Sequence, residues 1–459
     1  MIDIDELHSL RADFRWGAAT AAYQVEGATD ADGRGPSNWD TFGHTPGLTL
    51  NGDTGDIAAD HYHRYPDDLQ MAAEFGIGAY RFSIAWPRIF PDSSGCINHS
   101  GLDHYSRMVD TMLELGIEPL ATIFHWDLPQ WLEDTGGWYN RDTAQRYAEY
   151  ADVVIRTLSD RVPRWITINE PWTVVGQGYC RGIHAPGYHD YHTAGTAIHH
   201  LMLASGLAVQ AFRAAAVKDV EIGITLSMAI SRPWSQSPND CRAAELLDGE
   251  QNRVYLDPLF LGSYPKDLSD LFPTLFDDST VLPDDLAVIS SPIDFLGVNY
   301  YLNHLVRHDA TIPILAARQI HPQGPMMSAG IAAVPAGIED CLLRIRREYK
   351  DIPIYVTEMG ASLPDYVDPT DHVHDSGRIE YLKTAISSIA SAASKGVDVR
   401  GFYVWSLLDN LEWELGYSIR FGLFFVDFGT QRRIPKDSAY WYRDVIAQHA
   451  AMQAHDKEG

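Results

Sequence analysis

The chain has little cysteine, a shortage of positive charge and no long apolar run. Its 459 residues include only four cysteines, Cys96, Cys180, Cys241 and Cys341. They are widely scattered and form no C-x-x-C, which argues against a disulfide framework or a thiolate metal centre. Free thiols in a cytoplasmic protein are the expectation. Lys plus Arg number 35 against 62 Asp plus Glu, a formal charge of −27, which opposes non-specific binding to nucleic acid or to an anionic membrane. No stretch approaches the roughly 18 apolar residues of a membrane span. Met1 to Glu6 lacks the basic and apolar regions of a secretory signal. Linkers, charge blocks and low-complexity runs are missing too. Residues 1–459 therefore read as a single domain, although a prior of about 150 residues per domain would allow more.

What is present is a repeating unit. Tyr105, Met108, Val109, Met112 and Leu113 make an apolar helical stripe, Gly116 ends it, and Ile117–Phe124 reads as a strand. The same helix-Gly-strand rhythm runs from a helix opening at Asp67-Asp68 to Gly76 and Ile77–Ile84, and from Arg378–Ser394 to Gly396 and Val399–Ser406. Other helices are expected at Arg141–Asp160, Thr193–Ala216 and Ile338–Tyr349, with Asp30–Asp56 as loop. Strands are expected to begin near residues 14, 79, 119, 165, 221, 294, 354 and 399. Eight βα units fit a closed (β/α)8 TIM barrel with extended βα loops better than a doubly wound sheet.

In such a barrel the active site lies at the C-terminal ends of the strands. Trp165-Ile166-Thr167-Ile168 runs into Asn169-Glu170-Pro171, and Ile354-Tyr355-Val356-Thr357 runs into Glu358. Each is an apolar strand that ends in a carboxyl group beside a breaker, so Glu170 and Glu358 are the candidate catalytic pair. The other strands bring Gln24, Arg81, His125-Trp126, Asn299, Tyr301 and Trp405 to the same mouth, with Glu412 and Trp413 in the loop that follows. Singly, each has an ordinary explanation: a turn cap, a satisfied buried histidine, a structural ion pair or a core tryptophan. Together, amides, carboxylates and aromatic rings make a sugar site, because they pair with hydroxyls and stack on a pyranose face. Metal chemistry fits less well. His61/His63 are expected to precede a helix and His199-His200 point apart within one, and no third ligand has suitable spacing.

These motifs resemble glycoside hydrolase family 1, the β-glucosidase family, over Phe14 to about Tyr442. The resemblance rests on Phe14-Arg15-Trp16-Gly17, Ala21–Gly27, Tyr80–Arg88, Phe124–Pro129, Asn169-Glu170-Pro171, Gly297–Tyr301, Trp405–Asn410 and Glu412-Trp413. It implies a retaining β-glucosidase in carbohydrate catabolism, with cellulose breakdown among its settings. Glu170 would be the general acid/base and Glu358 the nucleophile. Gln24, His125, Asn169, Glu412 and Trp413 would bind hydroxyls of the non-reducing sugar, and Trp405 would stack beneath its ring. Tyr301 would line the substrate site and, with Arg81 and Asn299, hold Glu358. No cofactor or metal is implied. The partners are small-molecule β-glycosides or oligosaccharides, with no nucleic acid and no membrane, and the protein could be a monomer or a homo-oligomer. Galactosides and fucosides remain alternative substrates, transglycosylation an alternative reaction, and a catalytically dead sugar-binding barrel an alternative class that the intact carboxyl pair argues against. Two departures stand out. Met359 follows Glu358 where the family has Asn, and Ile331 stands where an aglycone-subsite Trp is usual, which predicts a less aromatic leaving-group site.

Overall fold

Eight parallel strands close into a barrel in the computed structural model, which describes residues 2–215, 218–320 and 325–458. They are β1 (Arg15–Ala19), β2 (Ala79–Ser83), β3 (Glu118–Phe124), β4 (Arg164–Asn169), β5 (Glu221–Pro233), β6 (Phe295–His308), β7 (Ile354–Met359) and β8 (Val399–Trp405). Neighbours pair in sequence order, and β8 pairs back to β1, with Arg15–Ala19 in register with Gly401–Trp405. Both faces of each strand are covered, so the strands are β-branched, aromatic or small almost throughout. Charged residues enter where β1, β3, β4 and β5 begin. Arg15, Glu118, Arg164, Glu221 and Arg400 form a chain of ion pairs across the barrel floor.

All eight expected strands are present. Gly76, Gly116 and Gly396 take φ of +73°, +72° and +92° at the ends of their helices, a conformation that costs glycine little and other residues more. Three expectations need correction. The first barrel helix runs His61–Glu74, so Asp67-Asp68 lie inside it and His61/His63 belong to its first turn. The Asp30–Asp56 stretch contains a helix, Asn38–His44, fixed by a capping box between Ser37 and Asp40. Asn299 and Tyr301 do not end β6. That strand continues to His308 beside an equally long β5, and a short antiparallel strand, Ala317–Ile320, joins its outer end. The helix before β5 ends at Ala214, and Ala216 lies outside the described residues.

Candidate active site

A cavity of about 320 Å³ opens at the C-terminal end of the barrel. Gln24, His125, Glu170, Tyr301, Glu358, Trp405, Glu412 and Trp413 all line it. Arg81, Asn169 and Asn299 lie directly beneath, fully buried. Every candidate site residue converges on this one place.

Arg81 organises the floor. Its Nε donates to Thr122 Oγ1 (3.1 Å), one terminal nitrogen contacts Glu358 Oε1, and the other donates to Asn169 Oδ1 (2.7 Å). That contact fixes the Asn169 amide with its nitrogen outward, 2.9 Å from His125 Nε2. Burial, assisted by Arg81, pushes the His125 pKa well below its usual value, so the ring is neutral. With Nε2 accepting from Asn169, the ring proton sits on Nδ1, and that buried atom has no protein partner. Gln24 is fixed in the same way. Its amide nitrogen donates to Asn410 Oδ1 (3.2 Å) and to the Leu411 carbonyl (2.8 Å), which leaves Oε1 unpartnered. Glu412 Oε2 is the third such atom. One oriented donor and two oriented acceptors therefore face the cavity without protein partners, where an unsatisfied buried polar group is costly. A polyhydroxylated ligand supplies the missing partners.

The two carboxyls are linked through Arg81, Asn169 and Asn299. Thr357 Oγ1 donates to Asn299 Oδ1 (2.7 Å) and so turns its amide nitrogen toward the cavity. There it donates to Glu170 Oε1 (2.7 Å) and to Asn169 Oδ1 (3.1 Å), the oxygen that also accepts from Arg81. Their surroundings differ. Glu358 has a guanidinium and the Tyr301 hydroxyl, the latter at 3.4 Å from Oε2. Glu170 has the Asn299 amide and the Thr173 hydroxyl, 2.6 Å from Oε2. Burial pushes Glu358 up to about 7, opposed by Arg81 and reinforced by the charge of Glu170. Burial also raises Glu170, opposed by Thr173 and Asn299.

Three residues at the site have left-handed backbone. Trp126, Glu170 and Trp413 take φ of +83°, +49° and +49°, a conformation that non-glycine residues adopt at a cost and that recurs at functional sites. Each position is held by its surroundings. Trp126 Nε1 donates to the Asn169 carbonyl (2.9 Å), Glu170 N donates to the Thr225 carbonyl (2.9 Å), and the Trp413 ring lies 4.4 Å from Trp126 and 4.5 Å from Trp39. Gly360, two residues beyond Glu358, permits the close approach of β7 to β8, since a Cβ there would lie 1.8 Å from the Trp405 carbonyl oxygen.

Sequence reasoning missed Thr173, which is three residues beyond Glu170 in a segment whose π-helical winding runs Thr173–Cys180. Only its spacing hinted at the contact. It also missed His184 and Glu414, paired at 2.8 Å across the mouth; no local pattern links loops so far apart in the chain. The histidines weighed as metal ligands are occupied. His61 pairs with Asp68 (2.8 Å), and His199 lies between Tyr264 (3.0 Å) and Asp285 (2.9 Å).

The fold and this pocket define a (β/α)8 barrel with a buried carboxyl pair in a hydroxyl-binding cavity. The model of Glycosyl hydrolase family 1 matches residues 7–451. Beta-glucosidase A of Thermotoga maritima is 45% identical over 434 residues, 94% of this chain and 96% of that protein. A bifunctional beta-D-glucosidase/beta-D-fucosidase of Bifidobacterium breve is 44% identical over 458 residues, covering 95% of this chain and 98% of its own. The solved family 1 β-glucosidase from Thermotoga maritima superposes with a TM-score of 0.93 at 44% identity, over 96% of this chain and 98% of that one. The same enzyme in complex with glucoimidazole gives 0.92. The chain belongs to glycosyl hydrolase family 1. Among the described residues no helix is long and apolar enough to cross a membrane.

Proposed function

We propose that the protein is a retaining β-glucosidase that removes terminal non-reducing β-D-glucosyl residues from small-molecule glycosides and oligosaccharides. The observation that carries the reading is the asymmetric carboxyl pair: two buried glutamates lining one cavity, Glu358 in contact with Arg81 and Tyr301, and Glu170 with Asn299 and Thr173. Retention needs the pair about 5–5.5 Å apart for direct attack, where an inverting enzyme needs roughly 6.5–9.5 Å to admit a water.

The chemistry follows from the asymmetry. Arg81 and Tyr301 stabilise the Glu358 anion, so the proton the pair holds near neutrality resides on Glu170, where the Thr173 hydroxyl can turn to accept it. Glu358 attacks the anomeric carbon while Glu170 gives its proton to the departing glycosidic oxygen, and a glycosyl ester forms as the aglycone leaves as an alcohol. Esterification removes the negative charge at Glu358. The pKa of Glu170 then falls, and as a carboxylate it takes a proton from water, whose oxygen attacks the same carbon and releases Glu358. Two inversions give net retention.

In this reading Gln24 Oε1, His125 Nδ1–H and Glu412 Oε2 pair with glucosyl hydroxyls, and the outward N–H of Asn169 serves the hydroxyl beside the reacting carbon. Trp405 and Trp413 supply aromatic faces. The relative named as a β-glucosidase/β-fucosidase supports activity on fucosides too. We place the protein in the cytoplasm, in the breakdown of cello-oligosaccharides. Its four cysteines are all free thiols, which suits a reducing compartment. The test is a panel of 4-nitrophenyl glycosides on purified protein, with NMR of the first-formed sugar. The β-glucoside should lead and the β-anomer should appear first. An initial α-anomer would refute double displacement.

A further inference from the structure

We propose, on the β-glucosidase reading, that the outer half of the pocket is an aliphatic cleft that selects β-glucosides of apolar alcohols over those whose leaving group is a second sugar. The pocket divides by chemistry. The buried side-chain polar atoms that line it without a protein partner, Gln24 Oε1, His125 Nδ1 and Glu412 Oε2, all belong to the floor. The pocket's solvent-reached apolar lining is Ile183, Leu302, Ala329, Ile331 and Leu415, with the buried rings of Trp172 and Phe421 beside them.

The polar side chains near this wall are largely engaged. Thr173 donates to Glu170, His184 pairs with Glu414 at 2.8 Å, and Trp172 Nε1 donates to Glu250 at 3.0 Å. Gln177 Oε1 accepts from Arg181, which leaves its amide nitrogen, Ser227 and the second oxygen of Glu414 to meet an incoming hydroxyl. A second sugar would bring more hydroxyls than these against methyl groups and lose part of its water without replacement. An alkyl chain loses nothing there and buries apolar area.

The wall is also fixed in place. Met327 N donates to the Ile331 carbonyl (2.8 Å), which closes a tight turn. Ser328 N and Ala329 N donate to the Ser362 carbonyl (3.0 Å) and hydroxyl (3.1 Å). Ser362 lies just beyond the strand that carries Glu358, so Ile331 keeps a set position relative to the reacting carbon. Ile183, opposite in the chain's order and 45% exposed, gives the rim a second apolar side chain.

The test compares kcat/KM for methyl, butyl, hexyl and octyl β-D-glucosides, below their micellar concentrations, with that for cellobiose. The alkyl series should rise by about 2–4-fold per methylene as far as the cleft extends, and octyl glucoside should exceed cellobiose by about tenfold or more. Ile331→Asn and Ile183→Asn should each lower the octyl-to-methyl ratio by about fivefold, a quotient insensitive to a general loss of active protein. A flat alkyl series, or cellobiose ahead of octyl glucoside in the wild type, overturns the inference while hydrolysis of 4-nitrophenyl β-glucoside upholds the β-glucosidase reading. Failure on that substrate as well would overturn both.

Discussion

The charge on Glu358 should set the proton affinity of Glu170, and Glu358→Gln isolates this coupling. The amide keeps the shape of the side chain and its contact with Tyr301 but carries no charge, as the glycosyl ester does. At roughly 5 Å and an effective dielectric of about 20, two unit charges interact by about 3 kcal/mol, which corresponds to about 2 pKa units. The sign is set by repulsion. Removing the anion makes ionised Glu170 easier to form, so its pKa falls. Arg81 already lowers Glu170 from a distance, and with its own carboxylate partner gone it acts in the same direction. The assay is a carboxyl titration by NMR, with ¹³C-labelled glutamate, on Glu358→Gln and on the wild type, with Glu170→Gln identifying the resonance. Glu170 should titrate about 2 units lower in Glu358→Gln. A value within half a unit of the wild type would refute the account of how one residue serves first as acid and then as base.

Glu170→Gln should lower kcat/KM for methyl β-glucoside by about 10²–10⁴-fold and spare 2,4-dinitrophenyl β-glucoside at the first step. Azide should then restore turnover of the activated substrate and yield the β-glucosyl azide. Equal loss on both substrates would count against Glu170 as the acid. Glu133, buried behind the mouth with Oε2 unpartnered, is pushed up to about 7 by burial. Its folded form therefore holds a proton that the unfolded chain releases near 4.5, so stability falls between those pH values by up to about 3 kcal/mol. Glu133→Gln should raise the thermal transition at pH 8 and leave it unchanged at pH 4.5; an equal shift at both would contradict the cause. Lys436, fully buried, bridges Asp365 (2.5 Å) and Asp409 (2.7 Å). Lys436→Met should cost about 3–5 kcal/mol through uncompensated buried charge and reduce activity, because Asp409 anchors the loop between Trp405 and Glu412. A denaturant midpoint unchanged from the wild type would show that Arg378, paired with Asp365 (2.7 Å), and Arg420, paired with Asp409 (2.6 Å), suffice.

The strands were legible because each is a short apolar run with a chemical group at its exit, and a helix stop such as Gly116 needs a conformation that favours glycine. The floor of the site was legible for the same reason, since Asn169, Glu170 and Glu358 lie at strand ends that the barrel must bring together; Asn299 reaches the same floor from inside the longer β6. Helix starts were harder. Asp67-Asp68 carry the charge of a first turn, yet the helix begins six residues earlier at His61, and Pro66 sits within its first turns. The Ser37…Asp40 capping box was present in the sequence but lost among the turn-forming residues around it. Least legible was the mouth. His184 and Glu414 meet only because two long loops fold over the barrel, and no periodicity fixes where such loops go.

The local chemistry of the cavity argues for the site independently of any motif. Left-handed backbone at Trp126, Glu170 and Trp413, and unpartnered atoms on Gln24, His125 and Glu412, all face one cavity. Such features occur elsewhere in the chain too; what marks these is that they surround a buried carboxyl pair. A ligand bearing hydroxyls at those atoms supplies the hydrogen bonds that folding left unmade. Binding energy then comes largely from the floor, where it holds the sugar ring over Glu358. The aliphatic mouth contributes through buried area alone. Floor substitutions should therefore change which sugar is accepted, and mouth substitutions which alcohol leaves.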